Sequence, residues 1–410
     1  MAIATYLTRL TDLKNTLANT LTKKGVAVGD NPTLSTLVPQ VNDLGSDKPF
    51  DKPFDKVLYS FGVLSDIHLK DSQYGVDDCN SISDYQRALT FYINYGCNFI
   101  AIAGDIVASN YGGTPYVNTT AQAEWLSELR KFAELNTEYF QNKKVYTCTG
   151  NHDANPNGHY ENPNDGMIGL SQQITDGGTT QDGATWWQSI VGNPINHTVA
   201  VGDNDVFIFF SMRYWNYSDM VTDGTTNGVY SQPDIEWLKQ ELEKYNDKRV
   251  FLFFHLPIQL YHEVGYLDPS SNGLVVGYTP DTVMAQILLN YKNVIWFNGH
   301  THYKLDYEGY TFHYTDEYED GDITFTHPNI YQTDESTTMI HCSSCSHPRE
   351  VTTKERNNDH TWTGMWKYSN LKTGSQGYVV DVYEKRIVIK GVDFASQDKP
   401  FIEKVKYIVS

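Results

Sequence analysis

Two histidines two residues apart, His300 and His302, follow an apolar run, Val294-Ile295-Trp296-Phe297, that ends in Asn298-Gly299. Four apolar residues in a row before a glycine read as a buried strand. Side chains at i and i+2 of an extended segment point the same way, so both imidazoles can reach one small volume beyond the strand end. Four further stretches repeat this setting of apolar strand and polar turn. Residues 61–65 lead to Asp66-Ile67-His68, and residues 99–103 lead to Gly104-Asp105. Residues 145–149 lead to Gly150-Asn151-His152-Asp153, and residues 250–254 lead to His255. In open α/β sheets the ligand site lies outside the carboxyl ends of the strands. Asp66, His68, Asp105, Asn151, His255, His300 and His302 are therefore expected to converge.

This set offers carboxylate, imidazole and amide oxygen but no thiolate, which disfavours a structural zinc site. Seven ligands are too many for one divalent ion that keeps an open position. They suit two ions sharing a bridging carboxylate. Two metals about 3.5–4 Å apart can clamp the attacking and leaving oxygens of an in-line displacement and generate hydroxide at neutral pH. In physical terms that is phosphoester hydrolysis. The donors suit manganese, iron, zinc or mixtures of them. Cys342-Ser343-Ser344-Cys345 is a CxxC without a second pair, so its thiols read as small buried residues. His341 and His347 beside it read as structural.

Residues 57–390 resemble the calcineurin-like metallophosphoesterase family. Its ordered signature, DxH, GD, GNH[DE], H and GHxH, stands here as DIH, GD, GNHD, His255 and GHTH. The resemblance implies that Asp66, His68 and His302 hold a first metal. It implies that Asn151, His255 and His300 hold a second, and that Asp105 bridges the two. His152 would face the phosphate and protonate the leaving oxygen. Asp153 would orient His152 or a ligand, as groups behind metal ligands commonly do. Phosphoprotein phosphatases carry an arginine just after GD and a glutamate after GNH. Here Ile106-Val107-Ala108 and Asp153 stand there, which speaks against a protein Ser/Thr phosphatase. Purple acid phosphatases place a tyrosine ligand where Ala108 stands.

The elements that must position these groups alternate strand and helix from Val57 onward. Helices are expected near 83–95, 121–141, 234–245 and 281–291, between strands near 98–103, 144–149, 205–212 and 249–254. That alternation means a mostly parallel sheet with crossover helices. After His302 the pattern changes to period two, at Tyr310-Phe312-Tyr314, 378–382 and 386–390. These read as antiparallel strands closing a second sheet, in an α/β sandwich of two sheets with helices outside. Residues 154–200 break the rhythm and are expected to form a functional loop or lid. His159, Tyr160, Trp186 and Trp187 within it, and His262 further on, could line the substrate cleft.

Three segments are expected: 1–46, 47–56 and 57–410. Leu7, Leu10, Leu13, Leu17 and Leu21 mark an amphipathic helix ended by Lys23-Lys24-Gly25. A second short apolar stripe follows Pro32. Neither can make a stable domain alone, so 1–46 is read as packing on its own domain or as a docking or homo-oligomerising segment. It resembles the N-terminal helical segments of phage tail and baseplate-associated proteins. The repeated DKPF of 47–56 reads as a semi-rigid linker.

The 410 residues carry a net charge of −19, which argues against tracking a nucleic-acid backbone. It leaves a phosphate-ester substrate open, because bound cations invert the local field. No apolar stretch is long enough for a membrane span, and no signal peptide is expected at the N-terminus. The protein is expected to be virion-associated or cytoplasmic. The leading reading is a phosphodiesterase cutting a cell-surface phosphopolymer such as teichoic acid, as part of a phage or phage-like particle. The alternatives are a soluble nucleotide or cyclic-nucleotide phosphoesterase, and a receptor-binding virion module that keeps the fold without turnover.

Overall fold

The computed structural model describes residues 56–70, 81–108, 119–141, 143–154, 169–213, 230–256, 290–300, 304–306, 310–315, 320–325, 330–331, 337–353, 367–370, 374–396 and 398–409, with single positions 11, 14, 15, 18, 287 and 302. The chain divides into two units, Met1–Val57 and Leu58–Ser410. In the first, positions 11, 14, 15 and 18 are helical. The rest of the expected helical segment, and linker residues 47–55, lie outside the described residues.

In the second unit the chain order is β1 (Tyr59–Leu64), α1 (Ser81–Tyr95), β2 (Phe99–Ile102), α2 (Thr119–Tyr139), β3 (Val145–Thr147), β4 (Gln173–Asp176), β5 (Thr179–Asp182), α3 (Gly183–Val191), β6 (His197–Val201), β7 (Asp205–Phe209), α4 (Gln232–Lys244), β8 (Arg249–Phe253) and β9 (Val294–Asn298). It continues as β10 (Tyr310–Thr315), β11 (Asp320–Phe325), β12 (Ile330–Tyr331), β13 (Thr338–His341), β14 (Arg349–Thr353), β15 (Lys367–Asn370), β16 (Gln376–Val382), β17 (Ile387–Asp393) and β18 (Phe401–Val409). Two six-stranded sheets dominate, ordered β18-β17-β16-β1-β2-β3 and β12-β13-β9-β8-β7-β6. Strands β1, β2 and β3 run parallel in the first, and β7, β8, β9 and β13 run parallel in the second.

Period-two patterning explains the layers. Phe207 and Phe209 of β7, and Phe251 and Phe253 of β8, face inward with Phe61, Val63, Phe99 and Phe297. Their neighbours Val206, Ile208, Val250 and Leu252 face outward onto α4 through Ile235, Leu238 and Leu242. Each strand is thus apolar on both faces, as expected of parallel strands covered on both sides. Neighbouring strands of the second sheet stack their inner rings, Phe207 on Phe251 at 4.6 Å, Phe209 on Phe253 at 4.9 Å and Phe253 on Phe297 at 5.1 Å, and Phe207 meets Phe61 and Phe99 of the first sheet edge-on at 5.0 Å. On the far side of the first sheet, α1 lays Tyr85, Ala88, Leu89 and Tyr92 into a core shared with Trp125, Leu129 and Phe132 of α2. That three-and-four spacing is one helical face.

Two expectations are corrected. None of the alternating strands expected after His302 joins the second six-stranded sheet: Tyr310–Thr315 pairs with β11 in a separate two-stranded sheet. Strand β16 pairs antiparallel with β1, Phe61 opposite Val380, so β16–β18 complete the first sheet. Strand β1 has β2 on one edge, and its other edge would otherwise stay unpaired. The stretch 154–200 is also more regular than its composition suggests. It holds the hairpin β4–β5, helix α3 and the start of β6. Helix α3 is capped by Asp182, which accepts from Thr185 N, and ends at Gly192 in the left-handed region. The helix expected at 281–291 lies almost wholly outside the described residues. Among the described residues no helix is long and apolar enough to cross a membrane.

Candidate metal centre

Six loops meet at the carboxyl ends of the parallel strands, those after β1, β2, β3, β8, β9 and β13. The loops after β1 and β2 run side by side. Ile67 N and His68 N donate to Asp105 O at 2.8 and 3.1 Å, and Leu69 N donates to Ile106 O at 2.7 Å. This short ladder carries Asp66 and His68 alongside Asp105. From the second sheet, His300 N donates to both carboxylate oxygens of Asp66, at 3.1 and 2.9 Å. Asp66 is thereby gripped by the backbone of the loop that bears His300 and His302.

The side chains fall into three overlapping groups that could hold cations. They are Asp66–His68–His302, His68–Asp105–His152 and Asp105–His255–His300, each with donor atoms within 4.8 Å of one another. His302 Nε2 lies 2.9 Å from Asp66 Oδ1 and 3.0 Å from His68 Nε2. His255 Nε2 lies 3.1 Å from Asp105 Oδ2 and 3.8 Å from Asp66 Oδ1. His152 Nε2 is farther out, 3.9 Å from Asp105 Oδ2. Asn151 is buried in the same turn, between Gly150 and His152.

The backbone at these positions is unusual. Asp66, His68, Asp105, His300 and His302 all have φ between 48° and 74°, in the left-handed region. Such conformations cost roughly 1–3 kcal/mol each and persist where the surroundings over-determine them. Asp and His tolerate the region better than most residues. Two glycines allow the close approach. A Cβ on Gly150 would stand 2.2 Å from Asp105 Oδ1, and one on Gly299 would stand 2.5 Å from Asp66 Oδ2.

Electrostatics follow from burying carboxylates among imidazoles. Burial alone would raise Asp66, but His302 and His255 hold it well below the usual carboxylate range. Asp105 is likewise lowered against burial by His255 and His152. Burial pulls His255 down, but Asp105 and Asp66 outweigh it and push the ring up to about 9. Burial wins at His152, held down to about 3 despite Asp105, and at His300, held well below its ordinary value. His255 Nδ1 lies 2.6 Å from Ala103 O, and His152 Nδ1 lies 2.6 Å from Ala108 O. A carbonyl only accepts, so both Nδ1 atoms carry protons and both Nε2 atoms are left facing the cluster. Ala108, where a tyrosine ligand would stand in a purple acid phosphatase, thus serves through its carbonyl.

The donor set passes a test of fit for cations. Asp105 Oδ2 and His255 Nε2 are buried and neither has a hydrogen bond among the described residues. A buried carboxylate oxygen and a buried imidazole lone pair facing one another are costly unless a cation compensates them.

Other sequence expectations are placed as follows. Among the described residues the Asp153 carboxylate bonds the backbone and no histidine. Its oxygens accept from Ile106 N, Val107 N and Gly150 N at 2.9, 3.1 and 2.9 Å. It therefore positions the loops bearing Asp105 and Asn151, while burial and the Asp105 charge push it up to about 7. Trp187 is fully buried in the core beside α2, and Trp186 Nε1 donates to Ile174 O at 3.1 Å, so both serve packing rather than the cleft. His341 is structural, its Nδ1 3.2 Å from Asn298 Oδ1. Cys342 and Cys345 are free and buried. His159, Tyr160 and His262 lie outside the described residues.

Sequence reasoning missed the loop after β13. Ser344 Oγ donates to Asp66 O and Ser346 Oγ donates to Ile67 O, both at 2.7 Å. His347, read as structural, brings its ring within 5.6 Å of His68 and 6.3 Å of His302. The available signal was its setting, a polar Ser- and His-bearing run directly after a short strand.

The model of the calcineurin-like phosphoesterase family matches residues 59–304. No curated protein matches the chain significantly. Among solved structures, a dimetal phosphatase from Danio rerio is similar at 13% identity and TM-score 0.47, over 87% of this chain and 99% of that one. PhoD is similar at 11% identity and TM-score 0.41, over 87% of this chain and 72% of that one. Vacuolar protein sorting 29 from Cryptosporidium parvum is similar at 9% identity and TM-score 0.31, over 86% and 98%.

Proposed function

The chain belongs to the calcineurin-like phosphoesterase family, and from that premise we propose that it is a phosphodiesterase using two divalent ions. The carrying observation is that the three His/Asp groups overlap, sharing His68 and Asp105 at a single rim. Asp66, His68 and His302 would hold one ion, and Asn151, His255 and His300 the other. Asp105, facing both sets, would bridge. When bound, such ions supply Lewis-acid polarisation of the phosphoryl oxygen and lower the pKa of an attacking water.

The remaining chemistry belongs to the chain. His152 stands at the edge of the cluster, half-buried, with Nδ1–H held by Ala108 O. Its Nε2 is the atom available for proton transfer. The negative charge of an incoming phosphate favours protonating it, which makes it the donor to the leaving oxygen. Asp153 keeps the loops of Asp105 and His152 in register through three backbone bonds.

The substrate we assign is a phosphodiester of a cell-surface polymer such as teichoic acid, reached from a phage or phage-like particle through residues 1–46. What supports it is the likeness of those residues to tail-associated segments. The test compares manganese-loaded protein on bis-p-nitrophenyl phosphate, p-nitrophenyl phosphate, wall polymer and cyclic dinucleotides. Faster turnover of the diester, abolished by chelation, and release of polymer units are the expected results. Preference for the monoester sinks the diesterase assignment, and preference for nucleotides sinks the polymer.

A further inference from the structure

Helix α2 lays Trp125, Leu129 and Phe132 into the core, and beside them it buries a carboxylate, Glu128, 1% exposed. Glu128 belongs to none of the five family motifs. A carboxylate taken out of water is costly unless donors compensate it. Its Oε2 accepts from Ala108 N at 3.2 Å, an N–H that also reaches Leu69 O at 3.0 Å. The carbonyl of the same residue accepts from His152 Nδ1 at 2.6 Å. Ala108 is thus held by the helix through its N–H while it holds His152 through its oxygen. One turn earlier on α2, Trp125 Nε1 donates to Asp153 O at 3.0 Å. One helix face therefore fastens both the turn that carries His152 and the residue that anchors its ring.

The Ala108 carbonyl fixes the imidazole at one nitrogen, and that sets where the other stands, with Nε2 3.9 Å from Asp105 Oδ2. A shift of Ala108 is a shift of Nε2, and proton transfer depends steeply on the distance and alignment of the two partners. We infer that Glu128 is a positioning residue for proton transfer by His152, acting through Ala108. The inference rests on the reading of His152 above as the donor to the leaving oxygen.

Losing a well-placed proton donor is felt most where the leaving group needs the proton. p-Nitrophenolate departs readily without one, and phenolate does not. The test uses bis-p-nitrophenyl phosphate and diphenyl phosphate on manganese-loaded full-length protein. The readout is the ratio of kcat on diphenyl phosphate to kcat on bis-p-nitrophenyl phosphate. His152→Asn, which removes the donor, lowers this ratio. Glu128→Leu lowers it about tenfold, less than outright loss of a general acid. Glu128→Gln keeps an acceptor oxygen for Ala108 N and recovers most of the loss. In the His152→Asn background Glu128→Leu leaves the ratio where it was, as two residues acting through one step require. Metal content stays at the wild-type level throughout. Should Glu128→Leu fail to fold, Glu128→Met is closer in shape and is read the same way. An unchanged ratio, a ratio as low with Gln as with Leu, a further fall in the His152→Asn background, or loss of metal overturns the proposal. If His152→Asn itself leaves the ratio unchanged, the acid role of His152 falls, and this inference with it.

Discussion

His255 Nε2 stands 3.1 Å from Asp105 Oδ2, with neither atom hydrogen-bonded among the described residues. His255 already donates from Nδ1 to Ala103 O. The space between the two atoms therefore suits a positive charge, either a proton on Nε2 or a metal ion. Without metal, Asp105 and Asp66 push His255 up to about 9 against burial. Below that pH a metal ion must displace a proton, so affinity rises with pH. The expected outcome is that the apparent Kd for manganese tightens by about tenfold per pH unit from pH 6 to 8. Chelator competition measures it. A Kd independent of pH over that range contradicts the proposed ligand role of His255.

His152→Asn is expected to lower kcat roughly 10²- to 10⁴-fold, the usual worth of a general acid. Metal content, read by elemental analysis, should remain near two ions per chain. A parallel loss of metal would make His152 a ligand, as its membership of the His68–Asp105 group allows.

Asp153→Ala leaves the N–H groups of Ile106, Val107 and Gly150 without their carboxylate partner. Each orphaned buried donor costs about 1–3 kcal/mol, not additively. A clear fall in Tm is expected, with metal affinity weakened roughly 10- to 100-fold. An unchanged Tm and metal affinity with lost turnover would instead show a direct chemical role.

Gly150→Ala places a Cβ 2.2 Å from Asp105 Oδ1 and 2.7 Å from Asp105 N. Backbone and carboxylate cannot both stay where they are. Overpacking of this kind costs about 1–3 kcal/mol, and here the displaced group is the carboxylate proposed to bridge the two ions. Lower Tm and reduced metal content should appear together in calorimetry and elemental analysis. Full metal content would show that the turn relaxes without moving Asp105.

Much of this site was legible because its signals are local. An apolar run followed by Asp, His or Asn marks a strand end, and parallel strands in one sheet send those ends to one side. So Asp66, Asp105 and the 150–153 turn could be placed together before any coordinates. His347 was not legible in that way. Its loop follows β13, a short strand whose parallel pairing to β9, Thr338 opposite Ile295, is set by residues far away in sequence. Trp187 failed for the same reason: a tryptophan in a polar stretch looks like a cleft residue until helix α3 turns it into the core.

What the residues alone determined is the chemistry and its order along the chain: carboxylates, imidazoles and an amide at successive strand ends, and the α/β alternation that brings them to a rim. Only the tertiary structure decided how tightly they meet. The left-handed turns at Asp66, His68, Asp105, His300 and His302 are unfavourable in an isolated chain. They hold because loops from both sheets fasten one another, through His300 N on Asp66 and Ser344 on Asp66 O, and because within the first sheet Asp153 holds the backbone of Ile106 and Val107. It likewise decided that β16 pairs with β1, since a strand's partner depends on which edges remain open once the other strands have packed. Periodicity records the face that a segment buries, and it carries no information about the neighbour that covers it.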